Sequence, residues 1–275
     1  MTNRPPLFVF KYGGNAMTDD AVKTGVVQSI IRLHRKGLRV VIIHGGGPYI
    51  KKSLAKAAIA SEFVDGQRKT TAEAMDVVEE TLKGQVNAEL VGCFIRRGGR
   101  AVGLSGKDGQ TVIAKKRVHV SRRNGAETEV DLGRVGDVSA TEPALLHLLI
   151  DHGYIPVMTC VAADVNGDSY NINGDIFAGH VAGALQADRL VVLTDVDGLL
   201  RDIDRPESLI SRVSRNEIER LKAEGIIAGG MIPKTDACLT ALEAGTLTAQ
   251  IMNGTKPECI ESLLNGSAAG TLIEK

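Results

Sequence analysis

The chain has 275 residues with 33 basic and 33 acidic side chains, so its net charge of zero gives no general attraction to a polyanion such as nucleic acid or an anionic membrane. Only 3% of residues are aromatic and none is tryptophan, which argues against base-stacking platforms. No apolar run approaches the roughly 18 to 20 residues of a membrane-crossing helix, and Met1 to Pro6 lacks the apolar core of a secretory signal, so a cytoplasmic protein is expected.

In chain order, short and uniformly apolar runs predict strands at 7–12, 39–44, 101–104, 155–158, 190–194 and 250–252. Helix-period stretches fall between them at 19–36, 71–97, 141–152, 175–185, 214–224 and 233–244. Such alternation predicts an α/β sandwich around a mostly parallel sheet, because strands covered on both faces have no polar side to show. The segment 111–131 breaks the rhythm and reads as a hairpin turning at Arg123-Asn124-Gly125. Its Lys115, Lys116, Arg117, Arg122 and Arg123 read as a solvated face, since no aromatic residues and no net positive charge accompany them. With no linker in sight, one domain of two lobes is expected, hinged between about 173 and 188. Cys93, Cys160, Cys238 and Cys259 are widely spaced and read as buried free thiols, with no zinc-ligand or disulfide pattern.

Glycine makes up 31 of the 275 residues, above the roughly 7% average, and it gathers where predicted strands end. Gly13-Gly14, Gly45-Gly46-Gly47 and the set Gly103, Gly106 and Gly109 follow the first three strands. At the carboxyl edge of a parallel sheet, glycine lets backbone N–H groups approach an anion, helped by the following helix N-termini. The familiar phosphate and hydrolase patterns fail. No P-loop is present, Gly45 to Ile50 misses the last glycine of G-x-G-x-x-G, and Lys107 stands where a G-x-S-x-G elbow needs glycine. No His sits at metal-ligand spacing, and His44 reads as a strand cap.

Charges beside the glycines are more informative. Lys11 ends an apolar run, where a lysine needs either a salt-bridge partner or a bound anion. Lys234 lies just inside a predicted helix, where the dipole opposes a cation unless an anion is bound. Two lysines in one crevice suit phosphoryl transfer, whose transition state is helped mainly by positioning and positive charge. Asn171, Asn173 and Asp175 alternate, so an extended chain would face all three one way; Asp175 also reads as a plain helix cap. Arg68 is a planar fork suited to a carboxylate, though a lone arginine decides nothing.

Together these residues resemble the amino acid kinase family over nearly the whole chain. The resemblance is carried by Lys11-Tyr-Gly-Gly-Asn-Ala-Met17, His44-Gly-Gly-Gly-Pro48, Gly66-Gln-Arg68, Gly103-Leu-Ser-Gly-Lys-Asp-Gly109, Gly133-Arg-Val-Gly136, Asn171-Ile-Asn-Gly-Asp175, Leu193-Thr-Asp-Val-Asp-Gly198 and Gly229-Gly-Met-Ile-Pro-Lys234. It implies a three-layer αβα sandwich and ATP-dependent phosphorylation of the γ-carboxylate of N-acetyl-L-glutamate in arginine biosynthesis, with Mg²⁺ held mainly by phosphates and water. By the same resemblance, Lys11 and Lys234 stabilise the transition state and Asp175 orients them. Gly46, Gly47, Arg68 and Asn171 bind the acceptor. Gly13 and Gly14 offer N–H groups to the phosphate, while Asp195, Val196, Asp197, Gly198, Leu199, Leu200, Ile226, Ile227 and Ala228 surround the nucleotide. The N-lobe, about 1–175, would bind the acceptor and dimerise; the C-lobe, about 176–275, would bind ATP.

The sequence departs from the family's pattern at Lys69, at Gly174 and at Asn253-Gly-Thr-Lys256. A kinase for a carrier-protein-linked aminoadipate or glutamate, and a non-catalytic sensing domain, are the alternatives. Ten residues before Lys11, including Pro5-Pro6, lead us to expect a homodimer without strong arginine feedback.

Overall fold

All six residues of the strand Leu7–Tyr12 are buried, and their apolar side chains divide by turns between two cores. Leu7 and Val9 enter one core, and Phe8, Phe10 and Tyr12 the other. The neighbouring strand Arg39–His44 divides likewise, Val41 and Ile43 against Val40 and Ile42. An extended chain places successive side chains on opposite faces, so a strand between two helical layers is apolar at every position. The computed structural model describes residues 4–13, 17–123, 126–264 and 269–275, and shows the three-layer αβα sandwich.

Among the described residues the main sheet has eight strands, in the order Arg212–Ser214, Thr271–Glu274, Thr248–Asn253, Arg189–Thr194, Leu7–Tyr12, Arg39–His44, Ile155–Thr159 and Ala101–Ser105. The last six are mutually parallel and are the six predicted strands, each end within two residues. The other two lie at one edge, Thr271–Glu274 running antiparallel to Thr248–Asn253. They escaped prediction because they are short and carry Arg212, Ser214 and Glu274 among their apolar residues.

The predicted hairpin is only half right. Val112–Lys116 pairs with Val135–Thr141, within a small closed barrel completed by Val161–Ala163 and Ser169–Ile172. Burial decides this, since Val112, Ala114 and Val138 all enter the main core. The true hairpin joins His119–Arg123 to Ala126–Val130, and the expected Asn124-Gly125 turn lies outside the described residues. On its basic face, Lys116 meets Asp131 at 2.9 Å and Arg117 meets Asp137 at 2.8 Å. Thr141 belongs to a strand, and the helix expected from it begins only at Ala144, after Pro143.

The long helix predicted at 71–97 comes in three parts: α-helical Ala72–Glu79, a π-helical stretch Glu80–Asn87, and α-helical Ala88–Ile95. Its first half packs on one core, through Met75, Val78 and Leu82; its second half packs on the other, through Val86, Leu90 and Phe94. It therefore crosses the sheet at the edge strand Ala101–Ser105.

Where a hinge was expected, the chain forms the helix Gly174–Ala184, packed tightly against the helix Met231–Glu243. A Cβ on Gly179 would lie 2.6 Å from the Ala237 carbonyl oxygen, and one on Gly183 would lie 2.4 Å from the Ala244 Cβ. Only glycine permits that approach, which carries the two helix N-termini to the same place. Cys93, Cys160 and Cys238 are buried thiols, while Cys259 is half-buried.

Candidate active site

Lys11 stands one residue before the end of a central strand, between Val192 and Ile43 of its neighbours. Its ammonium is 2.9 Å from Asp175 Oδ1. Asp175 sits in the first turn of the helix Gly174–Ala184, and its other oxygen, Oδ2, is 3.4 Å from the Lys234 ammonium. Lys234 lies in the first turns of the helix Met231–Glu243 and also donates to the Gly230 carbonyl at 3.3 Å. Burial alone would raise the Asp175 carboxyl, but the two ammonium charges outweigh it and hold the group below the ordinary carboxylate range. At 2.9 Å the Lys11 contact is a charge-assisted pair between two largely buried groups.

Asn173, not Asp175, is the helix cap, its side-chain oxygen accepting from the Asp175 and Ile176 N–H groups. The strand ends at Ile172, so the predicted alternation of Asn171, Asn173 and Asp175 along one extended face does not form. Asp175 is thereby released from capping and faces the lysines. A Cβ on Gly174 would meet Cys160 Sγ at 3.6 Å and Lys11 Cε at 3.7 Å, ordinary contact distances, so alanine would also fit there.

The first two glycine clusters fall beside this triad. A Cβ on Gly13 would lie 3.0 Å from Lys11 Nζ, so a side chain there would crowd the ammonium. Gly14 lies outside the described residues. Gly46 is buried and precedes the helix Gly47–Lys56; among the described residues no acceptor takes its N–H. A buried backbone donor without a partner is rare and suits an anionic ligand oxygen. The third cluster differs from expectation, because Asp108 Oδ2 already accepts from Ser105 N at 2.6 Å and Ser105 Oγ at 2.7 Å. The anion met by that loop is the protein's own.

Beyond Lys234 opens a cavity of about 710 Å³. Asp195, Val196, Gly198, Leu199, Leu200, Ile226, Ile227 and Ala228, the residues that the family resemblance places around a nucleotide, line it together. Sequence reading missed Arg201, Asp202, Ile203, Glu224 and Gly225, which lie in no motif and join the wall only because their loops fold together, and it gave no nucleotide role to Thr194, Gly230 and Met231, which lie within quoted motifs. Asp197 is absent from that lining. It turns instead to Asn253 Nδ2 at 2.7 Å and to the Lys256 ammonium at 2.7 and 2.9 Å.

Arg68 and Asn171 are not seen in contact with the triad. Arg68 lies on the short strand Gln67–Arg68, its guanidinium 4.6 Å above the Phe63 ring and hydrogen-bonded to Ser61 Oγ. No carboxylate among the described residues pairs with it. Lys69 beside it is 3.2 Å from Glu62, which accounts for a cation at that position. Asn171 is half-buried in the barrel strand Ser169–Ile172, paired with Val161 and Val135.

Two ammonium groups around one buried carboxylate, at the mouth of a nucleotide-sized cavity, provide fixed positive charge without a nucleophilic side chain. Such a site transfers a phosphoryl group to an acceptor that supplies its own attacking oxygen. Residues 6–253 match the amino acid kinase family, and the chain belongs to that family. It is 42% identical to the acetylglutamate kinase of Archaeoglobus fulgidus, over 97% of this chain and 92% of that one. Identity with the acetylglutamate kinase of Moorella thermoacetica is 44%, over 96% and 90%. Among solved structures, the N-acetylglutamate synthase of Neisseria gonorrhoeae complexed with coenzyme A and N-acetylglutamate superposes with a TM-score of 0.80 at 24% identity, over 99% of this chain and 60% of that one. A Giardia carbamate kinase gives 0.70 at 20% identity, over 98% and 99%. At those identities the structures speak for the fold alone.

Proposed function

We propose that this protein transfers the γ-phosphoryl group of ATP to the γ-carboxylate of N-acetyl-L-glutamate, a step of arginine biosynthesis. A carboxylate oxygen attacks the γ-phosphorus, the bond to the β–γ bridging oxygen breaks, and an acyl phosphate and ADP leave. The observation that carries this reading is the Lys11–Asp175–Lys234 cluster at the mouth of the cavity, in a chain about 40% identical to acetylglutamate kinases along almost its whole length.

In this reading Lys11, supported by the Gly13 and Gly14 N–H groups, neutralises charge on the phosphoryl oxygens, and Lys234 does so from the nucleotide side. Asp175 holds the two ammonium groups at a fixed separation. Gly46 and Gly47, with Arg68 and Asn171 as the lobes close, hold the acceptor; the cavity lined by Asp195, Val196, Gly198 to Leu200 and Ile226 to Ala228 holds the nucleotide. Among the described residues no three carboxylate, imidazole or thiol groups are placed to hold a metal. In this reading a Mg²⁺ ion would be held mainly by phosphates and water, where it would supply charge neutralisation. A homodimer located in the cytoplasm belongs to the same reading, and a monomeric mass on light scattering would remove the dimer.

An ADP-release assay across N-acetylglutamate, glutamate, aspartate, carbamate and uridine monophosphate tests the substrate. Turnover preferring N-acetylglutamate is expected. Preference for another acid, or ATP binding without ADP release, would overturn the proposal.

A further inference from the structure

His44, the last residue of its strand, is fully buried directly before the glycine loop, and its ring makes two hydrogen bonds. Nδ1 lies 2.9 Å from the Gly45 carbonyl oxygen, which can only accept, so Nδ1 carries the proton. Nε2 must then accept, and it does so from the Asn87 side-chain amide at 2.8 Å. The Asn87 amide orientation is fixed independently, because the same Nδ2 is 2.8 Å from the Val157 carbonyl oxygen. Burial lowers His44 to about 4; the hydrogen bond to Gly45 opposes this and the nearby Lys83 charge adds to it, so the ring is neutral at physiological pH.

Asn87 closes the π-helical stretch Glu80–Asn87. In an α-helix, residues five apart lie about 140° apart around the axis, whereas i→i+5 winding brings them toward one side. Leu82 and Asn87 are five apart, and both serve the glycine loop. A Cβ on Gly46 would lie 2.7 Å from Leu82 Cδ2 and 3.5 Å from Val86 Cγ2, while Asn87 reaches His44. Strand Ala101–Ser105 makes room for it, since a Cβ on Gly103 would lie 2.2 Å from Asn87 Oδ1.

We propose that His44 and Asn87 are a positioning pair that locks the Gly45–Gly46 peptide, so that the Gly46 N–H is presented to an acyl or carboxylate oxygen of the acceptor. The C=O and N–H of one trans peptide point in opposite directions. Holding the Gly45 carbonyl against the imidazole therefore turns the Gly46 N–H away from it, and that N–H has no acceptor among the described residues. The proposal rests on reading Gly46 and Gly47 as acceptor-binding.

Two histidine variants separate the two bonds. In His44→Asn the amide nitrogen occupies the place of Nδ1 and keeps the donor to Gly45. In His44→Gln the terminal group occupies the place of Nε2, keeps the Asn87 contact and leaves Gly45 without its donor. His44→Gln should raise the acceptor KM about tenfold with the ATP KM within twofold, and His44→Asn should restore most of the loss. Equal effects of the two variants, or a rise confined to the ATP KM, would overturn the pair. Nitrogen-15 NMR of the wild-type protein, with His44 assigned by its loss in His44→Asn, gives a readout that needs no activity. A neutral ring protonated on Nδ1 down to pH 5 is expected, and a ring protonated on Nε2 would sink the proposal. If the tautomer and the KM split hold but the preferred acid is not N-acetylglutamate, the acceptor assignment fails and the positioning pair stands.

Discussion

On the side proposed for the acceptor, two polar side chains are buried and held by named partners, Lys11 by Asp175 and His44 by Asn87. The side proposed for the nucleotide is a cavity between loops, walled by the buried Leu199 and Ile227 but rimmed by Ile203, which is 77% exposed. Atoms that must align for phosphoryl transfer gain from a fixed geometry, because a misplacement of about 1 Å can cost about a hundredfold in rate. A nucleoside is held well enough by shape and apolar contact, and loops that move allow it to enter and leave. Substitutions on the rigid side should thus strike turnover or folding, and those on the rim should act weakly and on the ATP KM alone.

The largest effect is expected from the triad. Lys11→Ala or Lys234→Ala should lower kcat by roughly a hundredfold or more in the ADP-release assay, as befits loss of one preorganised charge. A variant within threefold of wild type would remove that lysine from the catalytic role. Gly179→Val comes next, because its side chain must enter where Ala237 backbone lies; a loss of about 2 kcal/mol or more in urea denaturation is expected. If stability is unchanged, the helices can separate and the rigid side is not rigid.

Asp175 links geometry to pH. Its folded pKa is depressed below the ordinary value of 3.8, so its stabilising contribution is present above that value and is lost as pH falls through the lower folded one. The stability advantage of wild type over Asp175→Asn should therefore be full at pH 7 and shrink below about pH 4, read from urea midpoints. An advantage that does not change with pH would mean that the carboxylate is not stabilised by the lysines. Arg68→Ala should raise the acceptor KM about tenfold and leave the ATP KM unchanged, as loss of a binding contact would. Smallest is Lys256→Ala, whose partner Asp197 stands next to the cavity-lining Gly198 and whose ion pair is about half exposed and screened by salt. An ATP KM within about threefold of wild type is expected, the difference fading in high salt.

Much of this site was legible in the sequence because its signals are short-range. Lys11 in an apolar strand and Lys234 at a helix start each violate a local preference, and such violations mark places where a partner compensates. Asp197 shows the limit of local reading, since it shares a segment with cavity-lining neighbours yet turns to Asn253 and Lys256, 56 and 59 residues away. Arg68 shows another, because its present neighbours are Phe63 and Ser61.

What the amino-acid order determined alone was whatever depends on period and on the immediate neighbours: six parallel strands, glycine clusters at three of them, and unusual charges beside the glycines. Tertiary structure decided which distant groups meet. It gave capping to Asn173 and left Asp175 to the lysines, paired Val112–Lys116 with Val135–Thr141 by burial, and brought Asn87 onto His44 through a π-helical stretch. Propensity and alternation are set within a few residues, whereas each of those meetings depends on which surfaces the whole chain can bury and which polar groups it can satisfy in doing so.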